Sequence, residues 1–124
     1  MGVIDAGVVV GLLTNAIDAA VIDGVELSAP HLIDSEVIHV LWRMTTNGKI
    51  SATAADVAFA GFRLLAIRRR PVSPLLDRMW DLRHNLSGYD ATYVALAEAI
   101  DEPLLTTDCR LATVPGIRCQ VQVV

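Results

Sequence analysis

Several features are scarce or missing in this sequence of 124 residues, and each absence narrows the class of protein. The two cysteines, Cys109 and Cys119, are too few for a disulfide framework or a zinc site. No apolar run reaches the ~18–20 uncharged residues that a membrane-spanning helix needs. The N-terminus also lacks the basic segment of a signal peptide, and Asp5 interrupts its apolar run. We therefore expect a cytoplasmic protein with no membrane partner.

An excess of positive charge is also missing, because the net charge is -4. The charges are unevenly distributed, however. Eight of the ten basic residues but only three acids lie between Arg43 and Arg83, so this stretch carries +5 and the remainder -9. The basic stretch is either an RNA-facing rim beside an acidic site or an ordinary solvated helix surface. No glycine-rich phosphate loop and no Gly-x-Ser-x-Gly motif accompany it.

The sequence is instead rich in small aliphatic residues. Hydrophobic residues make up 53% of the chain and aromatic residues only 5%. A chain of this length can bury a substantial core, and Ala, Val, Leu and Ile suit the buried strands of a parallel sheet. We expect one compact domain over residues 1–124.

Predicted strands alternate with predicted helices along the chain. This order indicates an α/β fold, a three-layer α/β/α domain with a central parallel sheet. The residues 71–74 are predicted to be a short extended piece, and Tyr89 and Tyr93 are assigned to the apolar side of their helix. The predicted strands are Val3–Ile4, Val25–Ser28, Leu104–Thr107 and Ile117–Val124, and the predicted helices are 8–13, 30–47, 51–67, 75–83 and one starting at Ser87.

Two acids follow predicted strands. In open parallel sheets the ligand site lies beyond the carboxyl ends of the strands, and Asp5 and Asp108 occupy such ends. Each also has a structural alternative. Asp5 is placed to cap the first helix, which is worth about 1 kcal/mol, and Asp108 is placed to start a turn.

Two further acids belong to helices. Glu36 lies among Ile33, Val37 and Val40 on the apolar face of its helix, where a carboxylate needs a metal, a salt bridge or partial solvation. Asp90 follows Ser87 at the spacing of a capping box, which is compatible with a role at the strand ends as well. His39 lies off the apolar face and is interpreted as a surface residue.

Together these acids indicate a metal site. Converging carboxylates repel one another unless a hard divalent cation is bound, and Mg²⁺ or Mn²⁺ prefers oxygen ligands. Such an ion acidifies a bound water and offsets charge on a phosphate, which favours phosphodiester hydrolysis. The candidate catalytic and metal-binding residues are Asp5, Glu36, Asp90 and Asp108.

Four segments containing these acids resemble the motifs of PIN domains, and of the VapC toxins in particular. They are residues 3–6 with Asp5, residues 29–37 with Glu36, residues 85–98 with Asp90, and residues 105–112 with Asp108. The resemblance implies a Mg²⁺- or Mn²⁺-dependent RNA endonuclease that forms a homodimer and is inhibited by a VapB-type antitoxin.

The resemblance also assigns supporting residues and shows one departure. Thr106 matches a threonine that orients the loop before the fourth acid, whereas Gly7 stands where the family often has Ser or Thr. Arg83 and Arg110 lie beside the third and fourth motifs, where they either contact RNA phosphate or form surface salt bridges. The helix from Ser51 is expected to offer an apolar face to the antitoxin, unless it is simply buried.

Two other functions compete with the nuclease. The first is a PIN-like regulator that binds RNA or protein at a catalytically inactive or weak site, which the intact set of four acids argues against. The second is a metal-dependent hydrolase of a small substrate. An open groove with a basic rim would favour the nuclease, and a closed apolar pocket would favour the small substrate.

Overall fold

The computed structural model describes all 124 residues and contains a five-stranded parallel sheet. The strands lie in the order β3-β2-β1-β4-β5. Val3 of β1 is opposite Ser28 of β2 on one side and Leu104 of β4 on the other. The strands are β1 (Gly2–Ile4), β2 (Leu27–Pro30), β3 (Ile67–Arg70), β4 (Leu104–Thr106) and β5 (Val121–Val123).

Two groups of helices cover this sheet. Helices α1, α2 and α3 pack on one another, and α4 packs on α5, which lies against β1, β2 and β4. This arrangement confirms the expected three-layer α/β/α architecture. No helix has the length and apolar character needed to cross a membrane. The helices are α1 (Ala6–Leu13), α2 (Leu32–Thr46), α3 (Ala52–Leu64), α4 (Leu76–Asp81) and α5 (Gly88–Ala99).

The core explains why β1, β2 and β4 lie at the centre of the sheet. Every residue of these three strands is buried, as their short apolar sequences require when helices cover both faces. Seven consecutive residues of α5, Ala91–Ala97, are buried as well. The central strands and α5 therefore hold the carboxyl edge of the sheet on a rigid support.

Three helix starts carry side-chain caps that the sequence indicated. Ser51 accepts a hydrogen bond from the Ala54 N–H at 3.0 Å, and Ser87 accepts one from the Asp90 N–H at 3.1 Å. Asp5 caps α1 in the same way. The predicted stop of α2 at Asn47-Gly48 is also confirmed, because Gly48 has a φ of 71° that glycine adopts without strain.

The predicted helix from Ser51 to Ile67 was wrong at its end. Helix α3 ends at Leu64, and Ile67–Arg70 forms the strand β3, where only a short extended piece over 71–74 was expected. The three arginines hide the apolar alternation by which strands are recognised. They are tolerated because β3 is an edge strand, where charged side chains discourage pairing with other chains.

The start of α2 and the end of the sheet also differ from expectation. Pro30 is the last residue of β2, and α2 begins two residues later at Leu32. A proline is acceptable at this strand end, since the ladder continues through the His31 N–H, which donates to Arg70 O at 3.0 Å. The last strand is shorter than predicted and covers Val121–Val123 only.

A carboxylate site at the carboxyl edge of the sheet

The parallel strands bring the predicted acids to one edge of the sheet. Asp5 follows β1 and Asp108 follows the end of β4, and these two strands are paired. Glu36 lies in the second turn of α2, and Asp90 lies in the first turn of α5. Burial is the main cause that raises the pKa of Asp5 and of Glu36, and nearby charges add to it, namely Asp90 and Asp108 for Asp5 and Asp5 and Asp90 for Glu36.

Asp5 is the most constrained of these acids. Its Oδ1 accepts the Val8 N–H at 2.9 Å, which caps α1, and its Oδ2 accepts the Thr106 hydroxyl at 2.5 Å. Burial raises the pKa of Asp5, and the two hydrogen bonds oppose that effect. One oxygen of Asp5 therefore caps the helix, as the alternative proposed. The other oxygen bonds to Thr106 at the end of β4.

Thr106 links Asp5 to the fourth acid. Its side chain is fully buried, and its hydroxyl accepts the Asp108 N–H at 3.0 Å while it donates to Asp5. A hydroxyl that donates to a carboxylate fixes the carboxylate's orientation, as partners of metal ligands do elsewhere. Thr106 therefore lies where the sequence expected a residue that orients this loop.

Glu36 carries an unsatisfied oxygen. Its Oε1 is buried and has no hydrogen-bond partner of ordinary geometry, and no lysine or arginine forms a salt bridge with it. Burial raises the pKa of this carboxyl, and the Tyr93 hydroxyl that faces it opposes the rise. The buried salt bridge considered as an alternative is therefore absent, whereas the partial solvation also considered is present, because Glu36 is only half-buried. An unpaired buried carboxylate oxygen is costly, so Glu36 is chemically suited to accept a further hydrogen bond or to bind a cation.

Tyr93 is a site residue that the sequence analysis assigned only to the core. Its ring is buried as expected, but its hydroxyl also lacks a partner of ordinary geometry and lies close enough to Glu36 to perturb its pKa. The signal that could have found it is its position three residues after Asp90, on the same face of α5.

The side-chain carboxylate of Asp90 takes no part in the helix cap. It is the backbone N–H of Asp90, rather than its side chain, that bonds to Ser87. The helix cap therefore leaves the Asp90 carboxylate free, and its role in the site stays a prediction. At the start of α5 the helix dipole also favours a negative side chain.

Asp108 has the strongest protein partners of the four. It caps the 3-10 turn Cys109–Thr113 through the Arg110 N–H at 3.0 Å. The Arg110 guanidinium also forms a salt bridge with Asp108, with Nη2 at 2.6 Å from Oδ2. These hydrogen bonds hold the pKa of Asp108 below its usual range. In this structure Arg110 therefore forms the surface salt bridge that the sequence analysis weighed against a contact with RNA.

The space above Gly7 is filled by a threonine from another segment. A Cβ at position 7 would lie 2.6 Å from the Thr107 hydroxyl and 3.5 Å from Asp5 Oδ1. The Thr107 hydroxyl thus occupies space that a side chain at position 7 would take. A larger residue at position 7 requires the Thr107 side chain to rotate away.

The basic stretch is only partly free to meet a polyanion. Arg69 pairs with Asp34 at 2.7 Å, and Arg78 pairs with Glu98 at 2.6 Å. Arg83 makes no salt bridge but stacks on Trp80, with its guanidinium carbon 4.5 Å from the ring centroid. Of the two outcomes foreseen for this stretch, paired surface charge accounts for Arg69 and Arg78 but not for Arg83.

The donor set fits a hard divalent cation by its chemistry. All four candidate ligands are carboxylates, and Glu36 has a buried oxygen without a hydrogen-bond partner of ordinary geometry. No three Asp, Glu, His or Cys side chains are drawn together at coordination distance, however. Mg²⁺ usually keeps several waters and takes only one or two carboxylates directly, so an open cluster of this kind suits it.

Comparison with known proteins identifies the class to which this fold and this site belong. The family model described as the PIN domain matches residues 2–117. The chain therefore belongs to the PIN domain family, which confirms the resemblance of its four acidic motifs.

Curated relatives place the chain near one group within that family. It is 48% identical to ribonuclease VapC1 of Mycobacterium tuberculosis over 98 residues, which cover 78% of this chain and 74% of the relative. It is 40% identical to ribonuclease VapC9 of the same organism over 125 residues, which cover 100% and 98%. The chain is thus similar to VapC ribonucleases along its whole length.

A solved structure supports the fold independently. VapBC2 from Rickettsia felis, bound to a DNA fragment from its promoter, superposes with a TM-score of 0.73. The match covers 98% of this chain and 97% of that one at 10% identity. At so low an identity the likeness concerns the fold alone.

Proposed function

We propose that this protein is a Mg²⁺- or Mn²⁺-dependent endoribonuclease that acts as the toxin of a toxin–antitoxin pair. The observation that carries the proposal is the buried oxygen of Glu36 that has no hydrogen-bond partner of ordinary geometry, on a carboxylate close enough to Asp5 and Asp90 to feel their charge. The similarity to VapC ribonucleases supports it. Both cysteines are free, which agrees with the reducing cytoplasm as its location.

The proposed metal ligands are Asp5, Glu36, Asp90 and Asp108, bound directly or through water. When bound, the ion supplies positive charge that acidifies a water and offsets charge on the scissile phosphate. The chain's own part is positioning. Asp5 is held by Thr106 and the Val8 N–H, so it presents its carboxylate without reorganisation. Asp108 is free to contribute only when it loosens its pairing with Arg110.

We propose that Arg83 and Arg110 bind phosphates of the RNA backbone. Arg83 has no acidic partner, so its charge is available to a phosphate. Arg110 lies beside Asp108, and its release from that carboxylate would place a cation next to the scissile phosphate. The intact acids argue against an inactive regulator.

An RNA cleavage assay tests this function directly. We expect the purified protein to cut single-stranded RNA in Mg²⁺ or Mn²⁺ and to lose that activity in EDTA, because its carboxylates repel one another without a cation. Activity should return when Mn²⁺ is added in excess over EDTA. RNA cleavage that continues unchanged in EDTA would contradict the metal-dependent mechanism, and no cleavage in either metal would favour the inactive regulator.

We further propose that the protein forms a homodimer and binds a VapB-type antitoxin through an apolar patch on α2 and α3. Helix α3 is not simply buried, since only Ala58 and Phe62 are buried in it and Val57 is 66% exposed. Exposed apolar surface of this extent commonly marks a protein interface. The patch consists of Ile38, Trp42 and Phe59.

Light scattering with and without the product of the adjacent upstream reading frame tests the partners. Alone, the protein should have twice its chain mass of 13.3 kDa. With the upstream product it should form a larger complex that cleaves RNA more slowly. Phe59→Ser should weaken this complex by about tenfold or more, as loss of a central aromatic contact does. A strict monomer that ignores the upstream product would contradict both partner proposals.

A further inference from the structure

A cavity adjoins the carboxylate site between α2 and the start of α5. It has a volume of about 490 Å³, within the ~300–1,000 Å³ typical of ligand pockets. Glu36 belongs both to this cavity and to the acid cluster, so whatever binds here lies beside the metal ligands. The lining residues are Leu32, Ser35, Glu36, His39, Val40 and Tyr89.

Tyr89 is the residue of α5 that lines the cavity, and its side chain is largely exposed to solvent. It shares the apolar side of α5 with Tyr93, as predicted, but unlike Tyr93 it is 64% exposed. The core ends below it, because Ala91 is the first buried residue of the helix. A large aromatic ring thus stands in solvent directly before Asp90, where packing gives no reason for it.

The chemistry of the lining indicates a flat, uncharged ligand. The cavity contains no lysine or arginine, and the Glu36 carboxylate repels anions, so the cavity does not suit a phosphate. Leu32 and Val40 offer apolar contact, and Tyr89 offers an aromatic face. Ser35 and His39, one turn apart on α2, add a hydroxyl and an imidazole at the polar side.

We propose that this cavity binds the unpaired base of a nucleotide next to the scissile phosphate, stacked on Tyr89, with Ser35 and His39 facing its polar edge. Proteins read single-stranded RNA by stacking splayed bases on aromatic side chains and bonding their edges. Glu36 lines the cavity and Tyr89 directly precedes Asp90 in α5, so RNA whose phosphate lies at these acids would have a flanking base beside the cavity. The inference rests on the proposed nuclease function and adds which residues hold the base that flanks the scissile phosphate.

Cleavage kinetics with a short RNA of mapped cleavage position test the stacking. Removing one base–aromatic stack costs about 5- to 150-fold in binding, so Tyr89→Ala should lower kcat/KM by that factor. Tyr89→Phe should retain most of it, because the ring remains. Leu64→Ala, which truncates an exposed apolar residue at the far end of α3, is the matched control and should leave the rate unchanged.

An abasic substrate locates the contact. Removing the base that occupies the cavity should slow the wild type as much as Tyr89→Ala does, and it should slow Tyr89→Ala no further, because the same stack is lost in both cases. An abasic nucleotide elsewhere in the RNA should affect both proteins equally. Equal sensitivity to every abasic position in wild type and Tyr89→Ala would overturn the base pocket.

A binding measurement separates this proposal from the nuclease itself. In the Asp90→Asn protein, a 2-aminopurine base at the cavity position should lose fluorescence on binding, and the added Tyr89→Ala change should restore it. Quenching without any wild-type cleavage would keep the pocket and overturn the nuclease. Cleavage without quenching would do the reverse. If Tyr89→Ala instead disrupts only the dimer or the antitoxin complex, the surface belongs to a protein partner and the proposal fails.

Discussion

Asp5→Asn is expected to lower metal-dependent RNA cleavage by more than about 100-fold while the fold is retained. Partners that merely orient metal ligands are worth about 10–100-fold in affinity or activity, so a ligand itself is worth more. Asparagine keeps the oxygen that accepts the Val8 N–H, so the cap of α1 survives. The measurement is the single-turnover cleavage rate, with the circular dichroism spectrum as the check on folding.

The stability of this variant gives a second, independent readout. Burial and the neighbouring charges of Asp90 and Asp108 raise the pKa of Asp5, so its negative charge destabilises the metal-free protein at neutral pH. The melting temperature of metal-free Asp5→Asn should therefore equal or exceed that of the wild type.

A matched control for Asp5→Asn exists elsewhere in the chain. Asp18 also caps a helical turn, accepting the Ala20 N–H at 2.9 Å, but it lies away from the strand ends. Asp18→Asn should cleave RNA as the wild type does. Full activity in Asp5→Asn, or an equal loss in both variants, would show that Asp5 acts only as a cap.

The sequence located the four acids because strand ends and apolar helix faces are local patterns. The sequence could not show which residues, distant in the chain, contact these carboxylates or fill the space beside them. Thr107 fills the space above Gly7 from 100 positions away, and Arg110 competes for Asp108. Tyr93 and Tyr89 illustrate the same limit, since a shared helix face does not reveal which ring faces Glu36 and which stands in solvent.

The fold was predicted from the same kind of local pattern. The prediction failed where charged residues replaced the apolar pattern of a strand. The buried strands β1, β2 and β4 have short apolar sequences, which identify them without any tertiary information. The edge strand β3 is held by pairing with β2 from Leu27 to Pro30, and its arginines carry no apolar signal. Strand order likewise depends on packing: β3 lies at the edge beside β2 because α2 and α3 connect the two strands.

Glu36→Gln is expected to remove most of the stabilisation that a divalent cation gives. Mg²⁺ or Mn²⁺ at about 100 times its Kd stabilises a protein that binds it by about 2.7 kcal/mol. For a domain of this size that raises the melting temperature on the order of 10 °C. The unpartnered Glu36 oxygen is the group that gains most from a cation, so the glutamine variant should show less than about half of this rise.

The pH dependence of the metal-free protein should show the same group. The pKa of Glu36 in the folded state is raised above its usual 4.5, so the folded protein binds the proton more tightly than the unfolded chain does. This carboxyl therefore contributes stability that is lost as the pH rises from about 4.5 through the folded pKa, and Glu36→Gln should remove that contribution. Thermal melts between pH 4 and 8, with and without Mg²⁺, measure both effects. Glu26→Gln is the control, since Glu26 is exposed just before β2, at the opposite end of the strands. If wild type and Glu36→Gln respond identically to metal and to pH, Glu36 is not a metal ligand.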